Sequence, residues 1–303
     1  MTVLLTAIAC RKEEPAAVTN AKPATPAPPG AAKTNIQIFP ARGEIKELKT
    51  EGKTVVIKHE EVTNYMAAMT MPFEVKETNE LAGLAVGDRV TFRILATEKE
   101  GWIDQVKKVG HATVAELPSR GGLNFRQVRD VERLKEGDLM ADYHFTNQLG
   151  QAVSLGQFRG QALAFTFIFT RCPFPNFCPR MTDNFGEAYR QLAKPGASFT
   201  NWALLSISFD PTYDTPETLK TYSSKYQFEP ARWNFATGAL IDIDAITEQF
   251  GLFFARAANG VSFDHNLRTV VVDATGKIQK ILVGNEWKPE ELVAEMTRAA
   301  AAK

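Results

Sequence analysis

A strongly apolar run that leads into two cysteines constrains the fold of this chain more than any other stretch. Residues 163–170 read LAFTFIFT, the composition of a β-strand that is buried on both faces. Cys172 and Cys178 follow, and apolar side chains then recur at helical spacing, at Met181, Phe185, Tyr189 and Leu192. We therefore predict a strand, a loop and a helix, with one thiol past the strand end and the other at the helix N-terminus. The helix dipole favours a thiolate at that second position.

The second half of the chain predicts alternating strands and helices around this unit. A buried strand is expected at 202–208, and Thr215 followed by Pro216 predicts a helix start. The remaining expected elements are a hairpin at 142–146 and 152–155, a short helix at 243–250, strands at 269–273 and 277–283, and a terminal helix at 289–302. This order, with cysteines at the first strand–helix junction, predicts an α/β thioredoxin-like domain over residues 138–303.

The cysteine pair has three interpretations: a structural disulfide, a redox pair or two metal ligands. A further ligand would have to come from elsewhere in a chain that has only four histidines. His265 stands just before the strand expected at 269–273. In a thioredoxin fold the loop before that strand faces the N-terminus of the first helix, so His265 is the candidate.

The first half of the chain predicts a separate, all-β domain over residues 36–110, which makes the protein multidomain. Strands are expected at 36–47, 53–59, 89–96 and 102–109, separated by turns that contain glycine. Several short strands in so short a segment favour a small closed barrel, because closure removes the sheet edges. The charged residues 111–137 are expected to connect the two domains.

A cluster of methionines in the first domain suggests a second metal site. On a strand, Met69 and Met71 point to the same face, and thioether sulfur is a soft ligand that suits Cu(I). Methionine is also a common core filler, so the pair alone favours the core. Together with His59 and the following Pro72-Phe73, however, the cluster resembles the periplasmic CusF-like domain, a small barrel of OB type that binds Cu(I) and Ag(I). The resemblance implies His59, Met69 and Met71 as ligands.

One position departs from the CusF-like pattern. The archetype of that family has a tryptophan three residues before the Met-x-Met pair, where it caps the metal through a cation–π contact. This chain has Met66 at that position, with Tyr65 beside it. Met66 is therefore a candidate for a third thioether ligand.

The second domain resembles the Sco/SenC proteins, which bind copper and assist assembly of the CuA centre of cytochrome c oxidase. The resemblance rests on FTRCP at 169–173, CPRM at 178–181, SFDPTYDTP at 208–216 and Asp264-His265. It implies Cys172, Cys178 and His265 as copper ligands. It also places Asp210 and Asp214 beside the site. The usual cysteine pair of the family is Cys-x3-Cys, and this chain has two more residues between its thiols.

The N-terminus predicts attachment to a membrane. Residues 1–10 look like the end of a bacterial lipoprotein signal, with Cys10 as the residue that would be lipidated. Residues 11–35 are rich in alanine and proline and are expected to form a disordered tether. These features predict a lipoprotein anchored in the cell envelope and facing the periplasm. Lysine plus arginine equal aspartate plus glutamate, at 35 each, which argues against nucleic-acid binding.

Two functions remain open at this stage. The first is a copper metallochaperone that receives Cu(I) and delivers it to the CuA domain of cytochrome c oxidase subunit II or to another copper acceptor. The alternative is a thiol–disulfide oxidoreductase that uses Cys172 and Cys178 as a redox pair to reduce the copper-site cysteines of the oxidase. His265 has no necessary role in the alternative.

Overall fold

In the computed structural model, the loop that carries Cys172 and Cys178, called the cysteine loop below, follows an interior strand of a seven-stranded sheet. The structure describes residues 35–49, 53–66, 68–111, 132–194, 199–256 and 262–302. The predicted signal stretch with Cys10, nearly all of the predicted tether and most of the predicted connector lie outside these residues. Residues Asn35–Lys303 form one compact unit, which contains two large sheets.

The N-terminal sheet is antiparallel throughout and contains five strands. They are β1 (Gln37–Leu48), β2 (Thr54–His59), β3 (Met69–Glu74), β4 (Asp88–Ala96) and β5 (Gly101–His111), with a short 3-10 helix at Thr78–Leu81. Their order in the sheet is β3-β2-β1-β4-β5. One face buries apolar side chains, among them Ile45, Val55, Ile57, Phe73, Val90 and Ile103. Because only one face is buried, buried and more exposed residues alternate along strands such as β2 and much of β4.

The two edge strands of this sheet approach each other. A single bridge joins Val75, which follows β3, to Ile103 in β5. The sequence predicts four of the five strands, and β3 lies in the methionine segment between them. The region is therefore strand-rich as predicted, and the closed OB-type barrel stays a prediction.

The C-terminal sheet contains seven strands. They are β6 (His144–Asn147), β7 (Ala152–Ser154), β8 (Ala162–Ile168), β9 (Trp202–Ser208), β10 (Trp233–Thr237), β13 (Arg268–Val272) and β14 (Ile278–Val283). Two further strands, β11 (Phe254–Arg256) and β12 (Phe263–His265), pair with each other. The order in the large sheet is β14-β13-β8-β9-β10-β6-β7. The central pairs β8-β9 and β9-β10 are parallel, and the outer pairs are antiparallel.

Four helices accompany this sheet and complete a thioredoxin-like fold. They are α1 (Cys178–Leu192), α2 (Pro216–Ser223), α3 (Leu240–Gln249) and α4 (Pro289–Ala301). All seven residues of β8 and all seven of β9 are buried, which explains their uninterrupted apolar sequences. The Thr215 side chain accepts a hydrogen bond from the Thr218 backbone amide and caps α2, as the sequence predicts. Among the described residues no helix is both long and apolar enough to cross a membrane.

Candidate copper centre

Three soft donors meet where β8 ends and α1 begins. The Sγ atoms of Cys172 and Cys178 and a ring nitrogen of His265 all lie within 4.8 Å of one another. Both cysteines are free thiols. Cys178 and His265 are buried, and Cys172 is half-buried. The structure thus brings together the three residues that the sequence predicts as one ligand set.

The backbone fixes the orientation of the His265 ring. Its Nδ1 lies 2.9 Å from the carbonyl oxygen of Asn266. A carbonyl oxygen can only accept a hydrogen bond, so Nδ1 donates to it and Nε2 is the ring nitrogen that faces the thiols. That Nε2 is 3.7 Å from Cys178 Sγ.

Phenylalanine rings surround the imidazole of His265. The ring centroids of Phe169, Phe177 and Phe209 lie 5.5, 5.4 and 5.2 Å from that of His265. All three rings are buried. These rings exclude water from one side of the site, which strengthens soft-donor binding relative to hydration of the metal.

The two thiols titrate as a coupled pair. Burial raises the pKa of Cys178 well above its usual value, and the neighbouring Cys172 raises it further. Burial acts in the same direction on Cys172, but hydrogen bonds from Cys178 and His265 outweigh it and hold the Cys172 pKa well below its usual value. The pair therefore loses its first proton readily and retains the second. Binding of a cation supplies the charge that stabilises the second thiolate.

The two predicted aspartates hold the base of the cysteine loop. Asp214 accepts hydrogen bonds from the backbone amide and the hydroxyl of Thr170 and from the Ser208 hydroxyl. Asp210 accepts from Arg171 at 2.6 Å and from Arg256 at 3.0 Å. Both carboxylates thus contact the loop through the residues just before Cys172. Burial raises the pKa of Asp214, and the donated hydrogen bonds oppose that shift.

A second set of soft donors lies in the N-terminal sheet. His59 on β2 stands directly opposite Met69 on β3 in the antiparallel register, and Ile57 stands opposite Met71. Opposite residues share a face, as do residues two apart on one strand. His59, Met69 and Met71 therefore project from the same face. His59 and Met71 are buried, and Met69 is half-buried.

His59 is held in the same way as His265. Its Nδ1 lies 2.7 Å from the carbonyl oxygen of Glu60, the next residue. Nε2 is buried and has no hydrogen-bond partner in the described parts of the chain. Burial lowers the pKa of His59, and the bond to Glu60 opposes that shift. A buried nitrogen without a partner, on the same face of the sheet as two thioethers, fits a soft metal ion.

Met66 and Tyr65 stand beside this donor set. Met66 is buried and forms a bridge with Val62, so its predicted role as a third thioether ligand stays a prediction. The Tyr65 ring stacks on Phe39 with centroids 4.0 Å apart. Its hydroxyl is buried and lacks a hydrogen-bond partner among the described residues. Burial raises the pKa of Tyr65, and the charge of Cys172 adds to the shift.

Sequence reasoning missed the residues that join the two sheets at this point. Phe174, between the cysteines, packs edge-on against Phe73 with centroids 5.7 Å apart. Asn176, also between the cysteines, accepts a hydrogen bond from the Gly101 backbone amide at 3.1 Å and donates one to the Gly101 carbonyl. The sequence shows that this loop is two residues longer than the Cys-x3-Cys spacing, but it does not indicate where the loop packs.

Comparison with known protein families agrees with this geometry. The family model described as "SCO1/SenC" matches residues 131–301, and the one described as "Copper binding periplasmic protein CusF" matches residues 39–108. The fold and the donor sets thus define a thioredoxin-like metal-binding protein that carries a second, copper-binding module. The chain belongs to the SCO1/SenC family. Soft sulfur and imidazole donors at both sites agree with copper as its cofactor.

Individual relatives are distant in sequence. The SCO1 protein homolog of Bacillus subtilis (strain 168) is 27% identical over 164 residues, which cover 53% of this chain and 82% of that protein. A SCO1/SenC family lipoprotein from Bacillus anthracis str. Ames is 28% identical, with a TM-score of 0.48 over 55% of this chain and 96% of that one. Copper-bound ScoI from Bradyrhizobium japonicum is 23% identical, with a TM-score of 0.46 over 54% and 99%.

Proposed function

We propose that this protein is a copper chaperone. It carries Cu(I) on Cys172, Cys178 and His265 and delivers it for assembly of the CuA centre of cytochrome c oxidase. The observation that carries the proposal is the convergence of these three donors within 4.8 Å, with His265 Nε2 turned towards the thiols. A redox pair does not require a third donor there, whereas a three-coordinate soft metal ion does.

The methionine cluster supports a second copper site in the same chain. His59, Met69 and Met71 supply one imidazole and two thioethers, which bind Cu(I) without competition from protons on sulfur. We place this site in a barrel module over residues 36–110 and the cysteine site in a thioredoxin-like module over residues 138–303. The two sites give the chain a capacity of two copper ions.

Reduction of acceptor cysteines is the second candidate function. The observation in its favour is the half-buried Cys172, whose pKa is held below its usual value beside a buried Cys178. A thiolate that is accessible and close to a resolving thiol can attack a disulfide and leave both cysteines oxidised.

Replacement of single histidines separates the two functions. His265→Ala should weaken Cu(I) binding at the cysteine site by roughly 100-fold. The reason is that it removes a proposed ligand, and even the loss of a residue that only orients a ligand weakens metal binding by about 10- to 100-fold. Reduction of a model disulfide should change little. His144→Ala, at an exposed position on β6, is the matched control and should bind copper as the wild type does. The measurement is competition with a Cu(I) chelator; unchanged affinity in His265→Ala would sink the chaperone proposal.

We further propose that the chain is held at the periplasmic face of a membrane by a lipid on Cys10. The support is the sequence of residues 1–10 and the periplasmic family of the N-terminal match. Cys10→Ala should move the protein from the membrane to the soluble periplasmic fraction. Equal membrane association of both forms would refute the anchor.

A further inference from the structure

We infer that the loop between Cys172 and Cys178 docks the N-terminal sheet onto the copper site, so that Cu(I) passes from the methionine cluster to Cys172 inside one chain. The inference rests on the proposed function, because it assumes that both donor sets bind copper. It gives the longer loop a docking role, and it sets the direction of copper transfer from the methionine cluster to the cysteines. The argument uses three groups of contacts.

The first contact is a ring that fits over a glycine. Phe174 is buried, with its ring against Phe73 of β3 and Phe177 of its own loop. A Cβ atom at Gly101 would lie 2.8 Å from Cε2 and 2.9 Å from Cζ of Phe174. The ring therefore occupies the space that any side chain at position 101 would need. Gly101 begins β5, so the loop docks at one end of the N-terminal sheet.

The second contact is a pair of hydrogen bonds around the same glycine. The Asn176 side chain accepts from the Gly101 amide and donates to the Gly101 carbonyl. It extends the end of β5 as a neighbouring strand would. Asn285 donates to the Asn176 carbonyl at 2.9 Å and holds this part of the loop from the other side. Asn176 is buried, so its amide would be costly to leave without these partners.

The third contact joins two strands that carry donors. Strand β12, which ends at His265, packs directly against β3, which carries Met69 and Met71. The strand that supplies the imidazole of one donor set therefore lies beside the strand that supplies the thioethers of the other.

Exposure of the donors indicates where copper leaves and where it arrives. Met69 is half-buried, whereas its partners Met71 and His59 are buried. Cys172 is half-buried, whereas Cys178 and His265 are buried. Each set therefore has one donor that is partly accessible. Ligand exchange begins most readily at an accessible donor.

The transfer step is an exchange of ligands without a change of oxidation state. A bond forms between Cu(I) and the Cys172 thiolate, and the bond to the Met69 thioether breaks. Bonds to Cys178 and His265 then replace those to Met71 and His59. Any proton still held by the thiol pair leaves to solvent. Copper remains Cu(I), so no oxidant or reductant is needed.

Docking is tested by a cross-link between the two sheets. Lys49 and Glu286 form an exposed ion pair at 2.8 Å, which a zero-length carbodiimide converts to an amide that mass spectrometry detects. The wild-type full chain should cross-link. The double variant Gly101→Val with Asn176→Ala should lose at least roughly tenfold of the product, because tethered groups react at a rate set by their effective concentration. Gly110→Val is the matched control, since no atom lies within 4 Å of a Cβ there on the same strand.

Transfer is tested by loading kinetics. One equivalent of Cu(I) is supplied from a chelator, and thiolate-to-copper charge transfer reports arrival at the cysteines. In the wild type and Gly110→Val, arrival should be fast and independent of protein concentration. Met69→Leu with Met71→Leu, which preserves volume, should load the cysteines at least roughly tenfold more slowly because it removes the high effective concentration of the donor. The docking variant should be slow and should speed up with protein concentration.

The outcomes separate this inference from the proposed function. If the methionine variant loads its cysteines at the wild-type rate, internal transfer is wrong while copper binding stands. If the docking variant cross-links like the wild type, the loop is not the docking element. If no variant and no wild-type chain binds Cu(I) at the cysteines, the proposed function itself fails, and the cross-linking result still reports whether the sheets dock.

Discussion

One carbonyl oxygen fixes the chemistry of each histidine in the two donor sets. Nδ1 of His59 donates to Glu60, and Nδ1 of His265 donates to Asn266. In both cases the acceptor belongs to the next residue, so the ring orientation is decided by local backbone geometry rather than by distant packing. Each Nε2 is therefore the ring nitrogen left to contact a metal ion, and the fixed ring lowers the reorganisation needed for binding.

Asp214 should be the aspartate on which local stability depends most. Three donors from Thr170 and Ser208 converge on its buried carboxylate. Asp214→Ala should lower the free energy of unfolding by roughly 2–4 kcal/mol, because buried hydrogen-bond donors lose a charged acceptor. Asp244→Ala, at an exposed position on α3, should change it by less than about 0.5 kcal/mol. Urea denaturation measures both, and equal effects would contradict the role assigned to Asp214.

The convergence of the three proposed ligands was predictable from sequence, but the residues that support them were predictable only in part. Cys172, Cys178 and His265 stand at a strand end, a helix start and a segment before a strand, and each of these places has a sequence signature. Asp210 and Asp214 were expected beside the cysteines because the resemblance to the Sco/SenC proteins includes the segment at 208–216 that carries them. Phe174 and Asn176 could not be assigned, because nothing in the sequence around them indicates a partner as distant in sequence as Gly101.

At the scale of elements, close approach of β1 to β2 positions His59 beside the methionine cluster. Gly43 on β1 stands opposite His59 on β2. A Cβ atom at Gly43 would lie 2.5 Å from Ile57 Cγ2, 2.7 Å from the Lys58 carbonyl oxygen and 2.9 Å from His59 Cα. Two of these are backbone atoms, which cannot move without shifting β2. The glycine is thus needed for the register that sets His59 opposite Met69.

Gly43→Ala should therefore weaken the methionine site without touching a ligand. Overpacking should lower the free energy of unfolding by about 1–3 kcal/mol, and displacement of His59 should reduce Cu(I) affinity at that site. Gly110→Ala has open space for its methyl group and is the control. Thermal unfolding and Cu(I) titration of a chain with both cysteines replaced by serine provide the measurements. An alanine at position 43 that binds like the wild type would refute this explanation.

The pairing of β4 with β5 should give the protein a specific acid sensitivity. Asp88 on β4 contacts Lys108 and His111 on β5, each at 2.7 Å. Hydrogen bonds from Lys108 and then His111 lower the pKa of Asp88 to about 2, from an ordinary value of 3.8. A carboxyl group with a lowered folded-state pKa stabilises the fold above its ordinary pKa. That stabilisation is lost as the pH falls from about 4 towards 2.

Asp88→Asn should remove this part of the pH dependence. The variant should melt at a lower temperature than the wild type at neutral pH, and its melting temperature should fall less steeply between about pH 5 and 2. Differential scanning calorimetry across that range measures both. Parallel curves for the two proteins would show that the acid sensitivity originates elsewhere.

Strands were predicted where one face or both faces are buried in a regular pattern. The run at 202–208 coincides with β9, and 53–59 nearly coincides with β2. β10 was missed, although all of Trp233–Thr237 is buried. Its five residues mix aromatic and polar side chains. Asn234 is polar, and its side-chain oxygen accepts a hydrogen bond from the Asn147 side chain. Tertiary packing of aromatic rings, rather than local pattern, creates this strand.

At the scale of the whole molecule, apolar packing rather than charge should hold the sheets together. Of the ion pairs across the junction, Lys49 with Glu286 is exposed and Arg180 with Glu74 is only partly buried, and pairs that water reaches contribute little. Phe174 and Asn176 are buried there. The arrangement of the two sheets was beyond the reach of sequence, because a contact between domains leaves no periodic pattern in either one.

Salt and truncation should therefore act differently on the junction. Raising NaCl to about 1 M screens the ion pairs and should change the alkylation rate of Cys172 by less than about twofold. Phe174→Ala should increase that rate at least roughly tenfold, because removing a buried phenylalanine costs several kcal/mol of packing. Mass spectrometry of iodoacetamide-treated reduced protein gives the rates. A strong salt effect in the wild type would mean that charge dominates the junction.

The packing of the Phe174 ring on Gly101 also limits which N-terminal sheets can be combined with this cysteine loop in a chimeric protein. A chimera that joins this cysteine segment to the N-terminal half of another protein would need a residue without a side chain at the start of the last strand. A bulkier residue there would occupy the space of the Phe174 ring, and the two halves would remain connected but undocked. Whether two halves are compatible can therefore be judged from the residue at this one position before any chimera is made.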